Sequence, residues 1–372
     1  MHVLFRASLL IGLLVLALVG CDDDDGPTTP TNGGTVSIEP EGRLYVLNQA
    51  DTTIYIYDTK TLARVDSFPS VVAEPHFVEF SPDGQHFYVV GRVTGGQVAK
   101  FRTSDNGLVE VVTVPTNVFP TALTLSDDND TLYLTDFSPV KGRLHKYIVS
   151  GSSFTYSDSV IQAGIQTHDL GKSPDGKWIV SGGFGSDDLS VFNTQTGDVF
   201  PLTLDSAKQQ VNAASNNYGP YGVWIDATSS IALVACRKGV DQLRLVDLNN
   251  QTILDSILIP VTDVGNATAG PTYMTIAPDN NIVFVTNFTD NTASVVRLST
   301  REVLETIEFE STRSFTATMS DDGSRVYISC AGVRTPTNPI QGRVYVIDAE
   351  TFEKVDSIDT GQEPFGIVYR PL

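Results

Sequence analysis

Histidine, aspartate, tyrosine and arginine side chains in this sequence stand at matching places of a repeated strand pattern. His76 and His168 each lie near the start of an apolar strand, and Asp169 follows His168 directly. A histidine beside a carboxylate can act as a general base with its orienting partner. Two histidines do not complete a metal site, so we predict ordinary hydrogen-bonded histidines and neither metal nor cofactor. A pH-sensitive histidine, or an axial ligand to a cofactor, is the alternative.

Aromatic rings and arginines complete the candidate set. Such a mixture suits a sizeable, partly apolar ligand. The alternative is that the rings only pack the ends of the strands. The predicted ligand-binding residues are His76, Arg92, His168, Asp169, Tyr221, Arg237, Tyr273, Phe288, Phe315, Arg334 and Phe365.

A repeated unit positions these residues. Six times an apolar strand runs into a polar turn and a second apolar strand follows, as at Ser81-Pro82-Asp83-Gly84 and Ser173-Pro174-Asp175-Gly176. A period of roughly 40–50 residues with four short strands is typical of a β-propeller. The second strands number seven, but the first of them lacks a preceding strand, and an unpaired first strand stands at 364–369. We therefore predict an all-β, seven-bladed β-propeller of four-stranded blades, whose last blade is closed by strands from both termini.

The connections of such blades fall on two faces. Turns between strands one and two, and between three and four, share one face, here called the turn face. Loops between strands two and three, and between blades, share the other, the loop face. The long connections 205–219, 261–270 and 331–342 all belong to the loop face. Because long loops often carry function, we expect the candidate residues to ring the mouth of the central channel there.

Composition and missing motifs exclude several classes. The chain carries 24 Lys and Arg against 44 Asp and Glu, a net charge of −20, which disfavours nucleic acid and anionic lipid surfaces as partners. No Cys-x-x-Cys-His, His-Glu-x-x-His, Gly-x-Ser-x-Gly or phosphate-binding loop occurs. Cys236 and Cys330 fall in repeats that are not neighbours, so we predict free buried thiols.

The N-terminus has the features of a secretory signal. Arg6 precedes an apolar run at 9–19, too short for the roughly 20 residues of a membrane span, and the run ends in Leu18-Val19-Gly20-Cys21. This ending resembles the lipobox of bacterial lipoproteins, which implies lipidation of Cys21; ordinary cleavage near Gly20 is the alternative. We predict a signal peptide at 1–20, an acidic flexible tether at 21–41 and the propeller at 42–372.

The acidic run directly after Cys21 resembles the surface-export signal of Bacteroidetes lipoproteins. That resemblance implies an outer-membrane lipid anchor facing the cell exterior. The alternatives are a solvated spacer, or retention at the periplasmic face of the inner or outer membrane.

Phe284-Val285-Thr286-Asn287 and the Ser-Pro-Asp-Gly turns resemble the YVTN-repeat family of seven-bladed propellers across nearly all of 42–372. Among its lipoproteins, the resemblance extends to cobalamin-capturing surface propellers of Bacteroidetes. It implies a non-catalytic protein that captures a corrinoid-like small molecule for a TonB-dependent outer-membrane transporter. The open alternatives are a lactonase-type hydrolase using His76, His168 and Asp169, a protein- or glycan-binding adhesin, and a scaffold for partner proteins.

Overall fold

A computed structural model describes residues 41–372 except 140–141, 208–213, 216, 263–264 and 334–339. The predicted signal peptide, Cys21, almost all of the tether, and Arg334 lie outside the described residues. The described residues form strands and turns and no α-helix. A helix long and apolar enough to cross a membrane is therefore not found among them.

The strands form seven four-stranded antiparallel sheets. The first sheet to be completed along the chain contains β4 (Pro75–Phe80), β5 (His86–Gly91), β6 (Gln97–Arg102) and β7 (Leu108–Thr113). The next two contain β8 (Leu123–Leu125), β9 (Thr131–Thr135), β10 (Arg143–Ser150) and β11 (Ser153–Gln162), then β12 (Thr167–Lys172), β13 (Trp178–Gly183), β14 (Asp188–Asn193) and β15 (Val199–Thr203).

Three further sheets follow the same order from the ring axis outward. They contain β16 (Pro220–Ile225), β17 (Ile231–Cys236), β18 (Gln242–Asp247) and β19 (Thr252–Leu258); β20 (Pro271–Ile276), β21 (Ile282–Asn287), β22 (Thr292–Arg297) and β23 (Glu302–Glu308); and β24 (Ser314–Met319), β25 (Arg325–Cys330), β26 (Arg343–Asp348) and β27 (Lys354–Asp359).

The seventh sheet joins the two ends of the described chain. Its innermost strand, β28 (Pro364–Pro371), pairs with β1 (Gly42–Asn48), which continues to β2 (Thr53–Asp58) and β3 (Arg64–Pro69). The register places Tyr45 opposite Val368. The innermost strands of neighbouring sheets contact each other all the way round, so the ring is closed. The predicted seven-bladed propeller, with both termini in one blade, is confirmed.

The repeated polar turns hold strands one and two of each blade in register. In the first of them, Ser81 Oγ donates to Asp83 Oδ1 (2.6 Å) and accepts from the His86 amide (3.0 Å). Gly84 takes a φ of 66°, which glycine adopts without steric cost. The Ser173 and Ser320 turns repeat these bonds, so the sequence motif serves the scaffold.

In three blades a hydroxyl group on the second strand bonds to the next blade. Thr286 Oγ1 donates to the Phe315 carbonyl of the following blade (2.6 Å), and Ser329 Oγ donates to the Phe365 carbonyl (2.8 Å). Thr135 reaches the His168 carbonyl in the same way (3.2 Å). Each accepting carbonyl belongs to an innermost strand beside the axis. The bonds therefore fix the residues that surround the channel.

Replacing Thr286 by valine tests this fastening. The change keeps the side-chain shape but leaves the buried Phe315 carbonyl without its hydroxyl donor, which we expect to lower the free energy of unfolding by about 1–3 kcal/mol. Urea unfolding of the purified chain measures the loss. The control is Thr252→Val on exposed β19, which should change stability by less than about 0.5 kcal/mol. Equal stability of the two variants would show that the hydroxyl bond contributes nothing.

Bulges redirect the innermost strands near the loop face. Six of these strands shift register against their neighbours within two or three residues of their start: β4, β12, β16, β20, β24 and β28. Such bulges commonly re-aim side chains. Here they bring His76, His168 and Tyr221, which belong to separate blades, together at the ring axis.

The core lies between the sheets and is apolar in every blade. Cys236 and Cys330 are buried in it as free thiols, as predicted. Burial raises the pKa of both thiols well above its usual range, so neither is a reactive thiolate near neutral pH.

Candidate functional site

Six side chains from the innermost strands fill the ring axis near the loop face. We call this group the central plug: His76, His168, Tyr221, Tyr273, Phe315 and Phe365. All six are buried, and His168 has no exposed surface. The rings touch across the axis, with centroids of His76 and His168 5.4 Å apart and those of Phe315 and Phe365 4.6 Å apart. Six of the residues predicted to ring the mouth of the channel thus lie at the axis, but their rings contact each other and fill it.

The two histidines have different surroundings. His168 Nε2 lies 2.6 Å from the Tyr221 hydroxyl and its Nδ1 lies 3.3 Å from the Tyr273 hydroxyl. Both nitrogens of His76 are buried and have no hydrogen-bond partner among the described residues. Burial lowers the pKa of both imidazoles well below its usual range, so both are neutral. The described residues hold no group of three or more metal-ligating side chains, so the paired histidines alone make no metal site there.

Cationic side chains cover the plug on the loop face. The Arg237 guanidinium lies 4.8 Å from the ring of Tyr221 and 4.9 Å from that of Phe288. Arg92 lies over Phe119 and Phe137 at 5.2 and 5.9 Å. Phe288 and Phe184 pack against the plug from outside it. Of the predicted ligand-binding residues, six thus form the plug, Arg92, Arg237 and Phe288 surround it, Asp169 lies elsewhere, and Arg334 is not described.

On the far side of the plug, the channel opens into a cavity of about 370 Å³ that we call the channel pocket. Its walls come from the middle and end of the innermost strands, toward the turn face. Apolar side chains such as Val223 and Met274 form most of it, and Trp224, which is 38% exposed, stands at its rim. Tyr273 belongs both to the plug and to this pocket, so the plug forms the pocket's inner end.

Two carboxyl groups face into the channel pocket. Glu79 of β4 accepts a hydrogen bond from Thr124 Oγ1 (2.7 Å), and Asp169 of β12 accepts one from the Val223 amide (3.0 Å). Removal from bulk water raises the pKa of Glu79 to about 7, although this side chain keeps partial exposure to the channel. Burial likewise raises the pKa of Asp169 to about 7, and the charge of Glu79 adds to the effect.

This pair can perform acid–base chemistry near neutral pH. Both carboxyls line one pocket and have a raised pKa of about 7, so each is present in both its ionised and its neutral form around pH 7. One group can then accept a proton while the other donates one. Lys172, which pairs with Asp127, also lines the pocket and favours the ionised form of Glu79.

The predicted histidine–aspartate dyad does not form. The ring nitrogens of His168 face the two tyrosine hydroxyls, whereas Asp169 turns into the channel pocket. The second carboxyl that lines this pocket, Glu79, was not among the predicted site residues. The sequence did contain a signal, because Glu79 is a charged residue in an otherwise apolar innermost strand. It occupies the position that Trp224 and Thr318 have in other blades, and all three residues line the pocket.

Known proteins that resemble this chain share its seven-bladed fold, and one family match also concerns its enzymatic activity. The family described as "Lactonase, 7-bladed beta-propeller" matches residues 108–364. No curated protein matches the chain by sequence. Among solved structures, the periplasmic gluconolactonase PpgL of Pseudomonas aeruginosa is 17% identical with a TM-score of 0.69, over 88% of this chain and 98% of that one.

Other similar structures serve different functions. Hydrazine synthase of Kuenenia stuttgartiensis is 14% identical with a TM-score of 0.66, over 87% of this chain and 99% of that one. The dihydro-haem d1 dehydrogenase NirN is 16% identical with a TM-score of 0.58, over 90% and 76%. At such identities, likeness shows the fold alone. The family match, by contrast, overturns the prediction that the protein is not an enzyme, because it covers more than half of the chain.

Proposed function

The chain belongs to the family of seven-bladed β-propeller lactonases, and from this membership together with the channel pocket we propose that it hydrolyses a small cyclic ester there. The observation that carries the proposal is the pair of carboxyls, Glu79 and Asp169, both with a pKa of about 7 in one pocket. Perturbed pKa values in a cleft are typical of catalytic groups.

The size and lining of the pocket support a small substrate. A volume of about 370 Å³ lies at the lower end of the range for small-molecule sites, which runs from about 300 to 1,000 Å³. The apolar walls exclude bulk water around the ring, while Trp224 at the rim offers a flat face for stacking. A few polar groups then orient the ester against the carboxyl pair.

Hydrolysis by this pair balances without a further reagent. The ionised carboxylate takes a proton from water as the water oxygen bonds to the lactone carbonyl carbon. The ring carbon–oxygen bond then breaks, and the departing oxygen takes the proton of the neutral carboxyl. The product is one open-chain hydroxy acid. The base is then protonated and the acid ionised, and exchange of protons with solvent restores the starting state of both carboxyls.

The test is release of acid from a defined lactone. Purified full chain and glucono-1,5-lactone are followed by pH-stat at pH 7, with uncatalysed hydrolysis subtracted. We expect saturable acceleration with one equivalent of acid per lactone opened. A rate equal to the uncatalysed one for this lactone and for smaller five- and six-membered lactones would reject the proposal.

Lipid anchorage at the outer membrane is a separate proposal, supported by the sequence Leu18-Val19-Gly20-Cys21 and the acidic run after it. We expect the expressed chain to incorporate labelled palmitate and to lose the label in Cys21→Ser, because the thiol is the acylated group. The control is Cys236→Ser, whose thiol is buried in the core. Protease digestion of intact cells then reports which side of the membrane the propeller faces. Equal labelling of the two variants would reject the anchor.

Capture of a ligand for a TonB-dependent transporter rests on the resemblance of the anchor and blade count. The channel pocket is small for a corrin macrocycle, so a corrinoid would have to bind on the loop face. Isothermal titration with cyanocobalamin, compared between wild type and Arg237→Gln, tests this second function. Absence of heat at micromolar protein would remove the corrinoid from consideration.

A further inference from the structure

A second cavity lies on the loop face, away from the channel pocket. Its volume is about 380 Å³, and we call it the loop-face cavity. The residues that line it are Arg92, Thr94, Asn117, Phe119, Phe137, Ser138 and Pro139. It shares no residue with the channel pocket, from which the central plug separates it. No role in the proposed hydrolysis accounts for it.

Arg92 is the charged group of this cavity. Its guanidinium lies over the rings of Phe119 and Phe137, which are themselves 6.2 Å apart. Its Nε is buried without an acceptor, and none of the described carboxylates pairs with it. A partly buried cation held by ring faces alone retains donors for an incoming anion.

None of the described residues that line the loop-face cavity carries a carboxylate that could compete for Arg92. The hydroxyls of Thr94 and Ser138 and the amide of Asn117 add neutral hydrogen-bonding groups. The neighbouring cavity, which also touches Arg92, differs in this respect because it contains Glu74 and Glu363. We therefore expect an anion to bind in the loop-face cavity, next to Phe119 and Phe137. The apolar part of the ligand would contact these two rings.

The buried carboxylate of Asp136 holds the two chain segments that form the cavity walls. Asp136 Oδ1 accepts from the Phe119 amide and from the Ser138 amide, both at 3.0 Å. Asp136 Oδ2 lies 3.5 Å from His145 Nε2, and the amide of Phe137 donates to the Phe119 carbonyl (2.7 Å). These bonds join the two wall segments. The site is thus organised before any ligand binds, which lowers the entropy cost of binding.

From this geometry we propose that the loop-face cavity binds a small organic anion, a carboxylate or phosphate ester with an apolar ring or chain, through Arg92. The apolar part lies against Phe119 and Phe137, and the anionic group meets the guanidinium. The site is distinct from the channel pocket and does not depend on the proposed hydrolysis.

Isothermal titration of the full chain tests the proposal with four probes: phenylacetate, phenyl phosphate, 2-phenylethanol and inorganic phosphate. We expect one or both of the aryl anions to bind with a submillimolar Kd, and at least tenfold tighter than the neutral alcohol and than inorganic phosphate. The two aryl anions distinguish a carboxylate ligand from a phosphate ester. Binding of the aryl anion should weaken as salt rises.

Variants then assign the binding to Arg92. Arg92→Gln should weaken binding of the aryl anion at least tenfold. The control is Arg64→Gln in outer strand β3, which removes an arginine stacked on Tyr55 and should leave binding unchanged. Arg92→Lys keeps the charge but loses the planar guanidinium, so we expect a smaller loss of affinity than in Arg92→Gln. If Arg92→Gln does not fold, the affinity of Arg92→Lys is the test. Glu79→Gln should leave binding unchanged. Anion affinity that is equal in wild type and the Arg92 variants, or absent at 10 mM probe, would overturn the proposal.

Discussion

Glu79→Gln and Asp169→Asn are each expected to reduce kcat/KM for a cyclic ester by at least about 100-fold. General acid–base catalysis by a positioned side chain contributes on the order of 10²- to 10⁴-fold, and an amide neither takes nor gives the required proton. Both replacements keep the size of the side chain and an oxygen that can accept the existing hydrogen bonds from Thr124 and Val223. Initial rates in the pH-stat assay measure the effect.

The double variant should be little slower than either single one, because the two groups act as one unit. Glu305→Gln on exposed strand β23 is the matched control and should retain full activity. His168→Gln separates this account from a histidine mechanism. If that variant alone abolished hydrolysis while both carboxyl variants remained active, the plug would be the catalytic site and the assignment of the pair would be wrong.

The same two substitutions are expected to stabilise the fold at alkaline pH. Native pKa values of about 7 exceed the ordinary values of 4.5 for Glu79 and 3.8 for Asp169. Between about pH 4 and 7 the folded state therefore binds more protons than the unfolded state. The contribution of these groups to stability is complete below about pH 4 and is lost as pH rises through about 7.

At pH 8 both carboxylates are ionised inside the channel, where the amide variants carry no charge. The expected gain in the free energy of unfolding has an upper bound of about 3 kcal/mol for Glu79→Gln and about 4 kcal/mol for Asp169→Asn, with a Tm higher by a few degrees. At pH 4 wild type and variants should melt together. Thermal melts at the two pH values measure this, with Glu305→Gln as the control. A wild type more stable than both variants at pH 8 would show that the carboxyls are not destabilised in the folded state.

A gain in stability with a loss of activity would identify the pair as a site maintained for function. Buried groups that only hold the fold together behave in the opposite way, since their removal destabilises. Asp136 is such a group: its pKa is held below the usual range by His145 and by backbone amides, despite burial that acts to raise it. The contrast between Asp136 and Asp169 would then separate a structural carboxylate from the proposed catalytic one in the same molecule.

The fold was predictable because its signal is local and repeated. Each Ser-Pro-Asp-Gly-like turn closes its own hydrogen bonds, as at Ser81 and Asp83, so the sequence of the turn determines the hairpin that follows. The missing first strand before β1 and the spare strand β28 together predicted how the ring closes. None of these inferences required knowledge of how blades face each other.

The site was less predictable because it depends on contacts between blades. The bulges that move His76 and His168 to the axis arise from register between strands, and the strand sequence does not show on which side of the bulge a ring lies. Glu79 and Asp169 belong to blades separated by a third one. Their raised pKa values come from joint burial, which no single repeat reveals.

The pH dependence of kcat/KM for lactone hydrolysis tests the central claim most directly. Catalysis that needs one ionised and one neutral carboxyl, both with a pKa of about 7, predicts a bell-shaped profile with its maximum near neutral pH, and Glu79→Gln should remove one limb of the bell along with most of the rate. A rate that rises steadily with pH in parallel with uncatalysed hydrolysis, and that is the same in wild type and Glu79→Gln, would contradict the account.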